Sequence, residues 1–197
     1  MIIKDLAGAD LTGAYFRNAD LVGADLTGAR LRYADLAGAR LDGARLIGAN
    51  LIGARLDGAR LIGADLAGAR LTGAYLTRAD LTGADLGGVD LGDARLTGAD
   101  LSGARLDGAR LIGANLIGAK GIVVVGPVGR VGRMLYGVQH DGSVMIQAGC
   151  RWGTAEEVRG AIRAEYAVDA HLTPYLAAVD FVEAALAKED RRAGGAA

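Results

Sequence analysis

The sequence predicts a solenoid over residues 1–120, followed by a small α+β module. Over residues 6–116 every fifth residue is leucine except Phe16, and over residues 9–119 every fifth residue is alanine except Val89. A period of five matches neither the 3.6-residue period of an amphipathic helix nor the two-residue alternation of a strand. Self-similarity at a fixed period is typical of a solenoid, whose units bury their apolar faces by stacking on their neighbours.

The repeating unit is Ala, a polar residue, Leu, a variable residue and Gly, as in Ala-Asp-Leu-Thr-Gly. In its 23 consecutive units, residues 5–120 resemble the pentapeptide-repeat family. The resemblance implies an all-β solenoid, a right-handed quadrilateral β-helix. Each pentapeptide would form one side and four would form a coil, with the leucine and the preceding alanine pointing inward. Well-known members of the family mimic B-DNA on type II topoisomerases and protect them from quinolones.

The corners of such a coil are expected at the glycines. Glycine turns the chain with torsions that other residues resist, and leucines twenty residues apart would stack in one interior column. Four units carry another residue at the glycine position, and we expect a different turn there. These residues are Asn18, Tyr33, Arg78 and Asp93.

The charge balance argues against DNA mimicry and against direct nucleic-acid binding. The chain of 197 residues has a formal net charge of −1. Its first 120 residues contain 14 aspartates and no glutamate, against 12 arginines and two lysines. A neutral tube of this kind is expected to carry a solvated coat in which stacked Asp and Arg pairs are each worth little.

A group of outward isoleucines, Ile47, Ile52 and Ile62, is a candidate interaction surface. Ile47 and Ile52 would occupy adjacent sides of one coil with Ile62 close by, and such an apolar patch can serve self-association or a partner. Alternatively, isoleucine is present there only because it favours extended backbone. The sequence leaves both readings open.

After residue 120 the repeat stops, and the pattern predicts a β-hairpin module with two helices. A Thr-x-x-Glu capping box opens the first helix, and Thr-Pro opens the second. A turn is expected at residues 126–129. The predicted elements are strands at 122–125, 133–139 and 144–148, a helix from Thr154 to about Ala167, and a helix from Thr173 onward.

The segments Val128-Gly129-Arg130 and residues 148–158 resemble a small module that follows pentapeptide repeats in bacteriophage and prophage proteins. This resemblance implies an adaptor module in a phage-encoded protein, for example a virion accessory or capsid decoration protein. The expected domains are residues 1–120, a capping or oligomerisation module at 121–190, and a flexible tail at 191–197.

The second helix of this module carries an apolar face that must be covered. The face consists of Leu176, Val179, Val182 and Leu186. It could rest on the last coil, on the hairpin or on another subunit, and we expect it to support a homo-oligomer.

The sequence offers no convincing active site, metal site or cofactor site. His140 and His171 are the only histidines and lack metal-ligand spacing, and Cys150 is the only cysteine. A Cys150–His140 thiol–base pair would lack a third orienting group, so a packing role is favoured for the cysteine.

Three arginines of the module form a candidate anion-binding group. The glycine-rich stretch around Arg130 and Arg133 lacks the Lys-Ser/Thr ending of a phosphate-binding loop. It is therefore expected to be a surface turn, and these two arginines together with Arg151 could bind an anion.

These features predict a non-enzymatic structural or protein-interaction protein, with a type II topoisomerase (gyrase) modulator as the alternative. No cofactor is expected, and the partners would be proteins. The first five residues do not resemble a signal peptide, and no aliphatic run approaches the roughly 20 residues of a membrane span. We therefore expect a protein that is neither secreted nor membrane-inserted, in the bacterial cytoplasm or, if phage-encoded, in a virion.

Overall fold

The computed structural model describes residues 5–128, 133–140, 143–148, 151–165 and 172–193. The chain divides into two compact units, Met1–Lys120 and Gly121–Ala197.

The first unit is a coil that closes every twenty residues. Parallel β-bridges join each outward polar residue to the one twenty positions later, from Asp5↔Asp25 to Asp100↔Lys120. Because the unit has five residues, each coil has four sides, as the family resemblance predicts. The right-handed sense of the coil stays a prediction.

We name the four sides A, B, C and D in chain order, starting with the side that holds Leu6, and name each corner by the two sides it joins. The variable residue and the glycine of each unit form the corner. In the first coil, the central residues of sides A to D are Leu6, Leu11, Phe16 and Leu21, and later coils repeat them at twenty-residue intervals.

Backbone hydrogen bonds between coils hold each unit in place. In one unit of side A, the Leu46 N–H donates to the Asp65 carbonyl (2.6 Å) and the Gly48 N–H donates to the Ala67 carbonyl (2.9 Å). The Ala49 N–H closes the corner on the Leu46 carbonyl at 3.0 Å. The tube therefore satisfies its backbone groups by stacking.

The interior of the tube is a continuous column of leucine and alanine. The central leucines from Leu26 to Leu111 are at most 1% exposed. At the two ends of the tube, Leu6, Leu11, Phe16 and Leu116 are only half-buried.

The prediction of a different turn at the four non-glycine corners is wrong. Asn18, Tyr33, Arg78 and Asp93 have φ values of 55–58°, close to those of the corner glycines. Their backbone N–H groups also keep the same inter-coil bond; the Arg78 N–H, for example, donates to the Thr97 carbonyl at 3.0 Å. Stacking on the neighbouring coils thus imposes the left-handed conformation even without glycine.

The second unit contains a four-stranded antiparallel sheet and two helices. The strands pair in chain order, β1-β2-β3-β4. Their bounds are β1 Ile122–Val128, β2 Arg133–His140, β3 Ser143–Ala148 and β4 Arg151–Thr154, followed by α1 Ala155–Glu165 and α2 Leu172–Ala193.

Three features of this unit differ from the sequence prediction. β1 continues through the expected turn and includes Pro127, which is tolerated because β1 is an edge strand and its register shifts between Val125 and Val128. β4 was not predicted, because four residues that include Gly153 give no alternating pattern. α2 extends to Ala193, into the expected tail.

Helix α1 begins as predicted. The Thr154 N–H donates to Glu157 Oε2 at 2.8 Å, and the Glu157 N–H donates to Thr154 Oγ1 at 3.3 Å. This reciprocal pair confirms the capping box.

The core of the second unit lies between the helices and one face of the sheet. Val179, Val182 and Leu186 of α2 pack with Leu135 of β2 in one buried cluster. Gly137 belongs to this arrangement, because a Cβ atom there would collide with a methyl group of Val182. The absence of a side chain at Gly137 lets the helix approach the sheet.

Candidate functional site: side C of the tube

Most outward aspartates of the tube accept a hydrogen bond from its backbone. Asp or Asn in the polar position accepts a hydrogen bond from the backbone N–H two residues later, as when the Gly87 N–H donates to Asp85 Oδ1 at 2.9 Å. All ten aspartates in this position make the bond. This is the Asx turn, which suits the short side chain of aspartate and explains why the tube has no glutamate.

The second carboxylate oxygen faces the next coil. Wherever Arg or Lys stands twenty residues after such an aspartate, the two form an ion pair, as in Arg105–Asp85 at 3.1 Å. Seven stacked pairs follow this rule: Arg30–Asp10, Arg40–Asp20, Arg45–Asp25, Arg55–Asp35, Arg105–Asp85, Arg110–Asp90 and Lys120–Asp100.

The same rule accounts for two of the arginines that form no ion pair among the described residues. Arg70 follows Asn50 and Arg95 follows Tyr75, so neither has a carboxylate in the preceding coil. Together with Arg32 and Arg78, they are the arginines of the described tube that form no ion pair. Arg70 lies on side B, Arg95 on side C, and the other two on the corners of side C.

The tyrosines of the tube lie on side C and at corner B/C. Tyr15 on side C is 90% exposed, and Tyr33 at corner B/C is 61% exposed. The Arg95 guanidinium lies over the Tyr75 ring at 4.8 Å from its centroid, and Arg32 lies over Tyr33 at 5.4 Å. Exposed tyrosine and arginine in one area are typical of protein interfaces.

The four non-glycine corners also border this side. Tyr33 and Asp93 lie at corner B/C, and Asn18 and Arg78 lie at corner C/D, whereas every unit at corners A/B and D/A has glycine. A side chain in the left-handed region costs about 1–2 kcal/mol, and Tyr and Arg tolerate that region less well than Asn and Asp. Backbone strain of this kind clusters at functional sites.

Charge differs between opposite sides of the neutral tube. Side A with corner A/B carries five aspartates against two arginines, whereas side C with corner C/D carries four arginines against two aspartates. Exposed tyrosines, strained corners and unpaired arginines thus make side C, with its corners, the candidate functional site.

The predicted isoleucine group does not form one patch. Ile47, Ile52 and Ile62 lie at corners A/B, B/C and D/A, three different edges of the coil. Ile47 and Ile52 are half-buried, and Ile62 is 36% exposed.

The expected oligomerisation face is covered within the second unit. Val179 and Val182 are fully buried and Leu186 is 1% exposed in the core cluster, against which Leu176 packs partly buried. Of the three covers that the sequence left open, the sheet that contains the hairpin is the one observed, and homo-oligomerisation stays a prediction.

The side chains of the candidate anion-binding arginines lie outside the described residues. The backbones of Arg133 and Arg151 belong to β2 and β4, whereas Arg130 and Cys150 lie outside the described residues. The anion site stays a prediction.

Three aspartates of the tube show a lowered pKa. Hydrogen bonds from the Thr12 hydroxyl and backbone lower the pKa of Asp10, and the adjacent Thr27 hydroxyl and the Thr27 backbone N–H, which donates to Asp25 Oδ1 at 3.0 Å, lower the pKa of Asp25. Burial raises the pKa of Asp100, but hydrogen bonds from Ser102 and attraction to Lys120 outweigh it. These carboxylates therefore stay ionised in the folded tube at neutral pH.

Within the described ranges, no group of three or more His, Cys, Asp or Glu side chains could hold a metal ion. None of the helices that the structure describes is both long and apolar enough to cross a membrane.

Side C was not predicted from the sequence, although its signal is present there. Written in rows of twenty, the sequence shows glycine replaced only at the two corners of this side. It also shows Arg70 and Arg95 without an aspartate twenty residues earlier.

These features define a four-sided parallel β solenoid built from five-residue units. The sequence profile described as "Pentapeptide repeats" matches eight copies, over residues 5–32, 24–61, 54–93 and 90–120. The chain belongs to the pentapeptide-repeat family, as its repeat predicts.

Solved structures similar to this chain include other pentapeptide-repeat proteins. A trypsin-treated variant of QnrB1, a plasmid-mediated fluoroquinolone resistance protein, is 29% identical with a TM-score of 0.56, and the match covers 58% of each chain. HetL from the cyanobacterium Nostoc sp. strain PCC 7120, involved in heterocyst differentiation regulation, is 36% identical over 58% of this chain and 69% of its own, with a TM-score of 0.29. The chain thus spans little more than half the length of QnrB1. No curated protein sequence matches the chain significantly.

Proposed function

We propose that this chain is a non-enzymatic protein-interaction protein that recognises its partner with side C of the tube. The observation that carries the proposal is that all four non-glycine corners border this one side. A purely structural rod gains nothing from Tyr33 and Arg78 in the left-handed conformation, because glycine would occupy both positions without strain.

The remaining sides fit a supporting role. Their aspartates are engaged in Asx turns and stacked ion pairs, and exposed pairs of this kind contribute about 0–1 kcal/mol each. A rigid tube of this kind presents side C in a fixed geometry, which reduces the entropic cost of binding. The C-terminal unit would be a docking module.

Quantitative co-purification tests the proposal. The full-length chain and two variants, Tyr15→Ala/Tyr33→Gly on side C and Ile62→Ala at corner D/A, are used as bait, and captured proteins are quantified by mass spectrometry. A partner retained by the Ile62 variant and lost by the side C variant supports the proposal. Equal capture by all three baits, or capture lost only in the Ile62 variant, contradicts it.

A second candidate is modulation of a type II topoisomerase, favoured by the similarity to QnrB1. DNA mimicry needs a strongly acidic surface, and only side A with corner A/B approaches one, with five aspartates against two arginines. A gyrase supercoiling assay with and without quinolone tests this candidate. Dose-dependent inhibition or protection, lost on replacing Asp65 and Asp85 by Asn, would favour it over side C recognition.

A narrower form of the main proposal is a virion accessory protein, with the cytoplasm or the virion as its location. It is supported by the resemblance of residues 148–158 to a module of phage and prophage proteins. Detection of the chain in purified virions would support it, and its absence from virions of a strain that expresses it would contradict it.

A further inference from the structure

The unpaired cations beside side C indicate what kind of partner this surface takes. Among the described residues, exposed Arg70, Arg78 and Arg95 form no ion pair, and Arg32 lies over the Tyr33 ring and donates to its hydroxyl without a carboxylate partner. Elsewhere on the described tube every arginine faces a carboxylate within 4 Å, so these four are the guanidinium groups whose charge no described carboxylate of the chain neutralises.

We propose that side C and its flanking arginines bind an acidic protein segment, whose carboxylates pair with Arg32, Arg70, Arg78 and Arg95. This inference rests on the proposed function and names the chemistry of its partner. A guanidinium group presents paired N–H donors that match a carboxylate. The four arginines lie in the second, fourth and fifth coils, which at about 4.8 Å per coil distributes them over about 14 Å along the tube axis.

A protein segment fits this surface better than a nucleic acid does. Asp35, Asp57 and Asp93 lie among the arginines of side C and its corners. A duplex carries one charge per roughly 1.7 Å of its axis and would meet these carboxylates, whereas an acidic protein segment can place its charges individually. The amphipathic rings of Tyr15 and Tyr33 add the apolar contact area that protein interfaces use.

The side chains of the non-glycine corners lie over glycines of the next coil and so give this surface a defined shape. Tyr33 lies over Gly53 of the next coil, where a Cβ atom would come within 2.6 Å of the ring. Arg78 likewise extends over Gly98, with its Cγ 3.6 Å from the Cβ position. Each strained corner is thus followed by a glycine that leaves room for its side chain.

Selection from a library of random 12-residue peptides, displayed on phage and panned on the immobilised full-length chain, tests the inference. Selected peptides are then synthesised with a fluorescent label and titrated by fluorescence anisotropy. The variants are Arg78→Gly/Arg95→Ala at side C and, as a control that removes the same two charges, Arg40→Ala/Arg60→Ala on side D. Arg78→Gly restores the glycine of the repeat, so loss of binding would not reflect a damaged fold.

We expect the selected peptides to be rich in Asp and Glu and to bind the side C variant about tenfold more weakly than wild type, because hydrogen bonds to charged groups are lost. Binding should weaken with added salt and be unchanged in the side D control. Selected peptides that are not acidic, or that bind the side C variant normally, would overturn the inference while leaving an interaction protein in place. If no peptide is selected and no protein co-purifies, the proposed function fails as well.

Two further measurements distinguish an acidic protein segment from other occupants of side C. Labelled duplex DNA that binds as tightly as the peptides and is lost in the side C variant would overturn the inference in favour of a nucleic acid. Sedimentation of the wild-type chain as an oligomer that the side C variant dissociates would instead identify a second copy of the chain as the occupant.

Discussion

Replacing Arg78 by glycine is expected to stabilise the tube, although it removes a side chain. Arg78 has a φ of 58°, a region that costs a non-glycine residue about 1–2 kcal/mol. Glycine removes this cost but increases the freedom of the unfolded chain by an amount worth about 0.4–1 kcal/mol. Since Arg78 is exposed and forms no ion pair among the described residues, the net gain should be about 0.5–1 kcal/mol.

Gly73→Ala is the matched control, because it makes the opposite change in the same coil. Gly73 has a φ of 64°, and nothing lies within 4 Å of its Cβ position, so an added methyl group changes only the backbone energy. We expect it to lose about 1 kcal/mol.

Thermal unfolding followed by circular dichroism measures both effects, with urea midpoints as a second reading. For a chain of this size 1 kcal/mol corresponds to about 2–4 °C in Tm. The Tm of Arg78→Gly should therefore rise by about 2 °C and that of Gly73→Ala should fall by about 3 °C. A fall in the Tm of Arg78→Gly would refute the strain argument on which the assignment of side C depends.

Three further changes probe the rest of the fold. Leu56→Ala empties part of a fully buried column and should cost about 2–5 kcal/mol in urea unfolding, whereas Ile62→Ala at an exposed corner should cost far less. The pKa of Asp10 is lower in the folded tube than in the unfolded chain, so the ionised carboxylate stabilises the fold. The urea midpoint should therefore be constant above pH 4 and should fall as the pH drops through the folded pKa of Asp10. Gly137→Val should disrupt the packing of Val182 and lower the protection of α2 amides from hydrogen exchange, with the tube amides unchanged; unchanged protection in α2 would contradict the packing.

The five-residue phase of leucine, alanine and glycine predicted a solenoid, since each phase has one environment in every unit, and the resemblance to the pentapeptide-repeat family implied its four-sided coil. The corner conformations at Tyr33 and Arg78 were not predicted, because residue propensity favours another turn and only stacking on the next coil overrides it. The capping box at Thr154 and Glu157 depends on neighbours in sequence and was predicted correctly.

Features that depend on contacts between residues distant in sequence were not predicted. The apolar face with Val179 and Val182 was recognised, and the hairpin was one of three covers left open. The sequence did not decide among them, because a glycine in a strand, such as Gly137, does not reveal which helix approaches it. Side C was missed because its residues are spread from Tyr15 to Arg95 and are separated in sequence by the residues of the other three sides. They meet only when the twenty-residue coil is applied to the whole tube.

Site-specific photo-crosslinking tests the central claim, that side C carries the interaction, most directly. A benzoylphenylalanine replaces Tyr15 on side C in one variant and Ile62 at corner D/A in another, and the cells that express them are irradiated. We expect a discrete covalent adduct with a partner protein at position 15 and none at position 62. An adduct at position 62 with none at position 15 would contradict it.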